Sequence, residues 1–355
     1  MVIVGAIFLF RQSKEDTITF GFVGPLSGFG ASWGEEQKLA VQIAVDEINQ
    51  TGGINGKKLK VIYEDGKCVE KDAVTAAQKL ISIDKVKVLF SVCGAESLVI
   101  APIAEQNKII QMAIWSTHPK LSGVGQYIFR NSQSDNDTGK LMAQIINKNY
   151  TKVAIIHEES TYANGLRDIF KRYFTGQVIE EDYQSDTKDF RSYLVDALSK
   201  KPETFIINPT SPTGGILAIQ QLRQLGFKGQ IYGNYFGGVN EVINSKEAEG
   251  MIFFSDPYVA DNLLKDNLYK KFENISEHKP NFDFAVSISY DSVYILKQAI
   301  EKEGMDNSKI KDYLHQLKDF KGVMGTYGFN EKGDAIGYTP SVYQIKNGQV
   351  VLYQK

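Results

Sequence analysis

Residues 18–34 read Ile18-Thr-Phe-Gly-Phe-Val-Gly24-Pro25-Leu-Ser27-Gly28-Phe-Gly30-Ala-Ser-Trp33-Gly34. An amphipathic run continues to Asn49, and a Gly52-Gly53-Ile54-Asn55-Gly56 turn closes the segment. The short apolar run predicts a buried strand. The loop after it is built of small residues, so a ligand can approach its backbone. The run beyond it predicts a helix with Leu39, Ala40, Ile43, Ala44 and Ile48 on one stripe. Trp33 sits where loop and helix meet. Ligands of open α/β sheets bind at the loops that follow the strands, so this stretch reads as one wall of a small-molecule site. A plain surface loop is the competing reading, and it leaves Trp33 without a role.

The glycines also resemble a dinucleotide fingerprint, with Glu64 and Asp65 ending the next apparent strand. The spacing is GxGxxxG rather than GxGxxG, the loop from Gly24 is too long for the tight turn, and Pro25 lies inside it. The acidic pair falls about 30 residues on, where about 20 are expected. An NAD-dependent enzyme is therefore an outside alternative only.

Beyond this stretch, apolar runs alternate with helical patterns. Strands are predicted near 59–63, 86–90, 109–114, 153–157, 177–183, 203–207 and 230–233. Helices are predicted near 70–82, 96–106, 134–148, 161–173, 188–199 and 211–226, with later ones near 261–276, 284–303 and 307–317. This βα alternation predicts two doubly wound α/β layers. Asn347-Gly348 between runs 339–345 and 349–353 predicts a terminal hairpin.

A chain of 355 residues is long for one core, so two domains are expected. A net charge of −2 with scattered Lys and Arg gives no footprint for nucleic acid. Residues 1–10 are apolar or glycine, too few to span a bilayer, and lack the basic start of a signal peptide. We read 1–16 as a truncated export signal or membrane-anchor remnant with its linker, an ordinary buried strand being the alternative. Any membrane contact is expected only through that segment. The four histidines, His118, His157, His278 and His315, show no metal-site spacing. No nucleophile elbow or P-loop occurs. No catalytic constellation, cofactor or metal site is expected.

Gly24-Pro-Leu-Ser27-Gly28, Trp33-Gly34 and the 52–56 turn together resemble the amino-terminal signature of type I periplasmic substrate-binding proteins. The similarity is to the leucine/isoleucine/valine-binding family of ABC importers. It continues through Tyr63-Glu-Asp65, Cys68, Cys93, Phe129-Arg130, the strand ending at His157, Tyr162-x-x-Gly165, Ser289-Tyr290-Asp291 and Gly333-Asp334, covering residues 17–355. The resemblance implies two doubly wound lobes joined by a three-crossing hinge, with the ligand cleft between them. Crossings are expected at 130–135, 254–258 and 328–332. Lobe 1 then holds 17–132 plus 256–329, and lobe 2 holds 133–255 plus 330–355. It implies an extracytoplasmic binding protein, expected as a monomer, that closes by hinge motion on a small carboxylate-bearing ligand, an amino acid or a related acid, and delivers it to an ABC permease/ATPase complex. A ligand-sensing receptor module of the same fold is the alternative. In the family the cysteines matching Cys68 and Cys93 pair. Two buried thiols are the bland alternative.

The site implied by the resemblance draws on both lobes. Trp33, Gly94, Ala95, Trp115, Ser116 and Thr117 come from the first. The family holds a ligand carboxylate through a serine near Gly94 and a threonine at Thr117; Gly94 leaves only a backbone donor. Tyr162, Ser211, Tyr235 and Phe236 come from the second. The family's glutamate for the ligand ammonium falls at or next to Tyr235, with Glu158, Glu159 or Glu241 the nearby substitutes. That departure favours an acid without an amine, perceptibly aromatic given the ring-rich lining, since an unpaired buried ammonium is costly.

Overall fold

The strand–loop–helix unit at the start of the chain sets the pattern for everything after it. The structure is a computed structural model that describes residues 17–353. The first sheet contains β1 (Ile18–Gly24), β2 (Leu59–Asp65), β3 (Val88–Val92), β4 (Ile110–Ile114) and β5 (Ile128–Asn131). Its order is β2-β1-β3-β4-β5, all parallel. Helices α1 (Ala31–Gln50), α2 (Glu70–Ser82) and α3 (Gly94–Gln106) make the crossovers. Phe20, Phe22, Phe90 and Phe129 are fully buried in this layer. The predicted stripe of α1 faces inward, with Ala40, Ile43, Ala44 and Ile48 buried.

The second sheet follows from α4 (Asp135–Ile146) onward. It is built from β6 (Lys152–Glu158), α5 (Thr161–Tyr173), β7 (Gln177–Tyr183), α6 (Arg191–Ser199), β8 (Thr204–Asn208), α7 (Pro212–Gln224), β9 (Ile231–Gly233), the single-turn α8 (Asn240–Ile243) and β10 (Ile252–Ser255). The chain then returns to the first layer. There α9 (Leu263–Ser276), α10 (Asp283–Glu303) and α11 (Asn307–Gln316) lead to a small sheet of β11 (Phe320–Gly322), β12 (Gly325–Phe329) and β13 (Ala335–Ile336). It ends in β14 (Ser341–Lys346) and β15 (Gln349–Leu352), which pair antiparallel at the edge of the second sheet. The second order is β15-β14-β10-β9-β8-β6-β7. Interior β6 is apolar throughout Val153–Ile156 and buried on both faces, as parallel strands are. Asn347 and Gly348 both take positive φ, at 52° and 68°, the two-residue hairpin turn that this dipeptide predicts.

Each sheet reverses its strand order once, at β1/β3 and at β6/β8. Loops at such switch points open a crevice outside the strand ends. The third passage between layers falls later than expected. Segment 328–332 belongs to the small sheet and its turn, and Ala335 and Tyr338 still pack on the first core. The chain joins the second sheet only at Ser341. The expected signal or anchor remnant at 1–16 lies outside the described residues. Among those described, no helix is long and apolar enough to cross a membrane.

Cys68 and Cys93 form a disulfide, with Cα atoms 5.9 Å apart. It ties the loop after β2 to the end of β3. Replacing both with serine is expected to lower stability by about 3–4 kcal/mol, the chain-entropy value for a loop of this size. Chemical denaturation of the oxidised protein and the double variant checks this. Equal midpoints would show that the bridge contributes nothing.

Candidate functional site

The strand ends of both sheets converge on a cleft of about 200 Å³. Trp33, Gly94, Ala95, Trp115 and Thr117 line it from the first layer, and Tyr162 and Tyr235 from the second. Seven of the ten residues expected in the site are thus brought together. Rings run across it edge to face: Phe29 to Trp33 at 5.7 Å, Trp33 to Trp115 at 5.5 Å, Trp115 to Tyr235 at 6.4 Å, Tyr235 to Tyr162 at 5.6 Å. Phe282, on the turn entering α10, backs Trp115 at 5.6 Å.

Three expected residues face elsewhere. Ser116 is fully buried behind the wall, and its Oγ lies 2.6 Å from Ser97 Oγ in a chain that continues to Ser91 and Gln111. Phe236 is fully buried in the second core, because it follows Tyr235 and projects away from the cleft. Ser211 caps the start of α7 and gives its N–H to Glu158 Oε2 at 3.1 Å, leaving neighbouring Thr210 at the cleft.

The wall at Gly94 is the start of α3. Its first backbone N–H groups lie at a helix N-terminus, where negative charge is favoured. Cys93, just before it, has φ 58° and ψ 146°, and Trp115 at the end of β4 has φ 54°. Such conformations in non-glycine residues cost about 1–3 kcal/mol each and concentrate at binding sites.

The polar groups that sequence reasoning missed come from the two hinge segments. Asp135, on the first, is buried, and its Oδ2 accepts the Thr117 hydroxyl at 2.7 Å. Asp256, on the second, accepts from Trp115 Nε1 at 2.9 Å and from Gln133 Nε2 at 2.6 Å. Gln133, Thr138, Ser160, Thr161, Thr210 and Ser255 also line the cleft. Burial pushes the Asp135 carboxyl up to about 7, against the pull of Thr117 and Arg130. Burial pushes Asp256 up to about 6, against its bonds to Gln133 and Trp115. Burial lowers His118, at the cleft edge, to about 4, so it is neutral at pH 7. None of the substitutes considered for the missing glutamate, Glu158, Glu159 or Glu241, lines the cleft. Glu158 accepts the Thr210 and Ser211 N–H groups, and Tyr235 spends its hydroxyl on the Thr210 carbonyl at 2.6 Å.

A lobed α/β chain with an acid-bearing aromatic cleft at its switch points has a clear counterpart among known proteins. Residues 17–349 match the model of the periplasmic binding proteins. The chain belongs to this family. It is 28% identical to Leu/Ile/Val-binding protein homolog 3 of Brucella melitensis, over 96% of this chain and 95% of that one. It superposes on the leucine-binding protein LivK of Thermotoga maritima with a TM-score of 0.84 at 27% identity, covering 95% and 98% of the two chains. The fold also matches LivJ of Streptococcus pneumoniae, solved with isoleucine, with a TM-score of 0.80 at 24% identity over 94% and 97%. As a periplasmic binding protein, the chain is an extracytoplasmic substrate-binding protein and not an enzyme. The NAD alternative falls, and Asp65 has a structural task instead: its carboxylate accepts from Leu26 N–H at 2.9 Å and from the Ser27 hydroxyl, holding the loop before Trp33.

The raised acids make stability depend on pH. Between the ordinary carboxylate value and about 6, folded Asp256 keeps a proton that the unfolded chain releases. Its contribution is fully present at low pH and is lost as pH rises through about 6. Asp256→Asn is therefore expected to shift the melting midpoint of the ligand-free protein more favourably at pH 8 than at pH 5. Scanning calorimetry at both values measures that difference. The reverse order would show that Asp256 is ionised at no cost.

Proposed function

We propose that this protein captures a small α-amino acid by closing its two lobes and delivers it to an ABC importer. The carrying observation is that opposite kinds of group face one small cleft: the N-terminus of α3 at Gly94 and Ala95, and the Thr117–Asp135 pair. The helix start suits a carboxylate, and Asp135, held by the Thr117 hydroxyl, suits an ammonium. Relatives named for leucine, isoleucine and valine binding support the ligand class. The acid without an amine, favoured by Tyr235 at the usual glutamate position, loses its argument once Asp135 and Asp256 line the cleft. A carboxylic acid alone would bring a further negative charge beside them.

In this reading the lobes divide at the expected boundaries 17–132 plus 256–329 and 133–255 plus 330–355, with the third boundary moved past 338. The ligand bridges the lobes, and hinge closure buries it.

A thermal-shift screen followed by calorimetry tests the ligand class. An amino acid is expected to raise the midpoint by mass action, and its analogue lacking the amine is not. Thr117→Ala is expected to weaken binding by about 1–3 kcal/mol, the cost of stranding a charged partner. A screen in which amine-free acids bind and amino acids do not would overturn the reading.

Closure has its own test. A Cβ on Gly165 of α5 would meet His118 Cδ2, His118 Nε2 and Pro119 Cδ, each at 3.0 Å. These contacts join the second lobe to the loop after β4. Gly165→Val is expected to wedge the lobes apart and lower affinity at least tenfold without touching the ligand. Small-angle scattering with ligand should then show a larger radius of gyration than for the unmodified protein. Unchanged affinity and radius would show that this contact does not govern closure.

A further inference from the structure

We infer that the cleft selects a basic amino acid, with Asp256 and Gln133 at the hinge taking the cation at the end of its side chain. The inference rests on the amino-acid reading above and names the ligand class within it.

The first argument is charge balance. Two carboxylates, Asp135 and Asp256, face the cleft, and among the described residues that line it there is no lysine or arginine. Asp135 has a partial counter-charge. Arg130 stands behind the loop that carries Thr117 and stabilises the Asp135 anion from that side. Asp256 has only neutral donors, the Trp115 indole N–H and the Gln133 amide. One ligand ammonium at Asp135 and Thr117 leaves Asp256 facing the cleft without a cation. An anion screened from water is stabilised by a paired cation.

The second argument is unmet hydrogen bonding. Gln133 Oε1 and Thr138 Oγ1 are buried and have no partner, while both residues line the cleft. Gln133 is 5% exposed, and so is Thr138. Buried acceptors require donors. A primary ammonium or a guanidinium supplies several N–H groups to Asp256 and Gln133. A quaternary ammonium supplies none, and an aliphatic side chain would leave the oxygens stranded.

The experiment compares lysine, ornithine and arginine with norleucine and leucine, by calorimetry on the purified full chain at pH 7.5. Norleucine keeps the lysine stem and lacks its terminal amine. At least one basic amino acid is expected to bind tenfold or more tightly than norleucine. Asp256→Asn should cut that advantage of the basic amino acid over norleucine at least tenfold. The asparagine can still accept from Trp115, and a flipped Gln133 amide can meet it, so the variant is expected to fold; its melting curve is the control. The comparison within the unmodified protein decides the matter even if the variant does not fold. Norleucine or leucine binding as tightly as every basic amino acid would overturn this inference and leave the amino-acid reading intact. A basic ligand unaffected by Asp256→Asn in a folded variant would also overturn it. Failure of every amino acid to bind would overturn both.

Discussion

The cleft is organised around the Arg130 guanidinium, which is 1% exposed. Its Nη1 donates to the carbonyls of Thr117 at 3.1 Å and His118 at 2.8 Å. Its Nη2 donates to Ser122 Oγ at 2.8 Å and pairs with Asp334. The planar fork of arginine can satisfy several acceptors at once, where a lysine ammonium would act as a point charge. A buried charge is costly unless paired and hydrogen-bonded. Here those partners are the loop that carries cleft-lining Thr117 and a residue 204 positions later, so the charge can stay buried only if both come together. The backbone reinforces this, because Arg130 N–H donates to Gly333 O at 2.8 Å. Arg130 also begins the segment that carries Gln133 and Asp135, so one side chain links hinge, loop and site.

The first wall is held by a different means. Cys93 and Trp115 occupy positive φ at the ends of adjacent strands, which an unsupported loop would abandon. Support comes from behind. The disulfide fixes Cys93, and Glu96 accepts the Cys68 N–H at 2.8 Å. The buried Ser91–Ser97–Ser116 hydroxyl chain, joined by Gln111, ties β3, α3 and the end of β4 together. Ser116 therefore fixes the strand end beside Thr117 from behind the cleft wall. On the far side, Glu36 receives Asn281 N–H, its side-chain amide and Phe282 N–H, which places Phe282 against Trp115.

Local patterns made most of the fold legible. Strand and helix periodicities recovered the two α/β layers, and Asn347-Gly348 marked its hairpin because both residues tolerate positive φ. What could not be read from periodicity was the small β11–β12–β13 sheet, whose short strands are defined by pairing rather than by alternation. In the site, residues matched to a family motif mostly fell on the cleft, but alternation along the backbone sent Ser116 and Phe236 to the wrong side of it. Asp135 and Asp256 carry no motif. Each is an isolated aspartate, and only the crossing of the hinge segments brings them to one cavity. The signal available was their position: both lie within segments expected to cross between lobes.

Placing acids on the hinge joins recognition to motion. Asp256 is bonded at once to Trp115 of the first layer and Gln133 of the first crossing, so its orientation depends on how the lobes meet. Trp115 in turn touches Tyr235 of the second layer. Bringing these groups together shields two carboxylates from water, and burial raises the affinity of both for protons. On the proposed reading, a cation arriving with the ligand would offset that cost only when the lobes are together. The ligand thereby interacts differently with open and closed forms, which is the condition for binding to shift the equilibrium between them. On the inference of a basic ligand, specificity and closure would draw on the same side chains: a ligand without a matching cation would not hold the cleft shut, even where its shape fits.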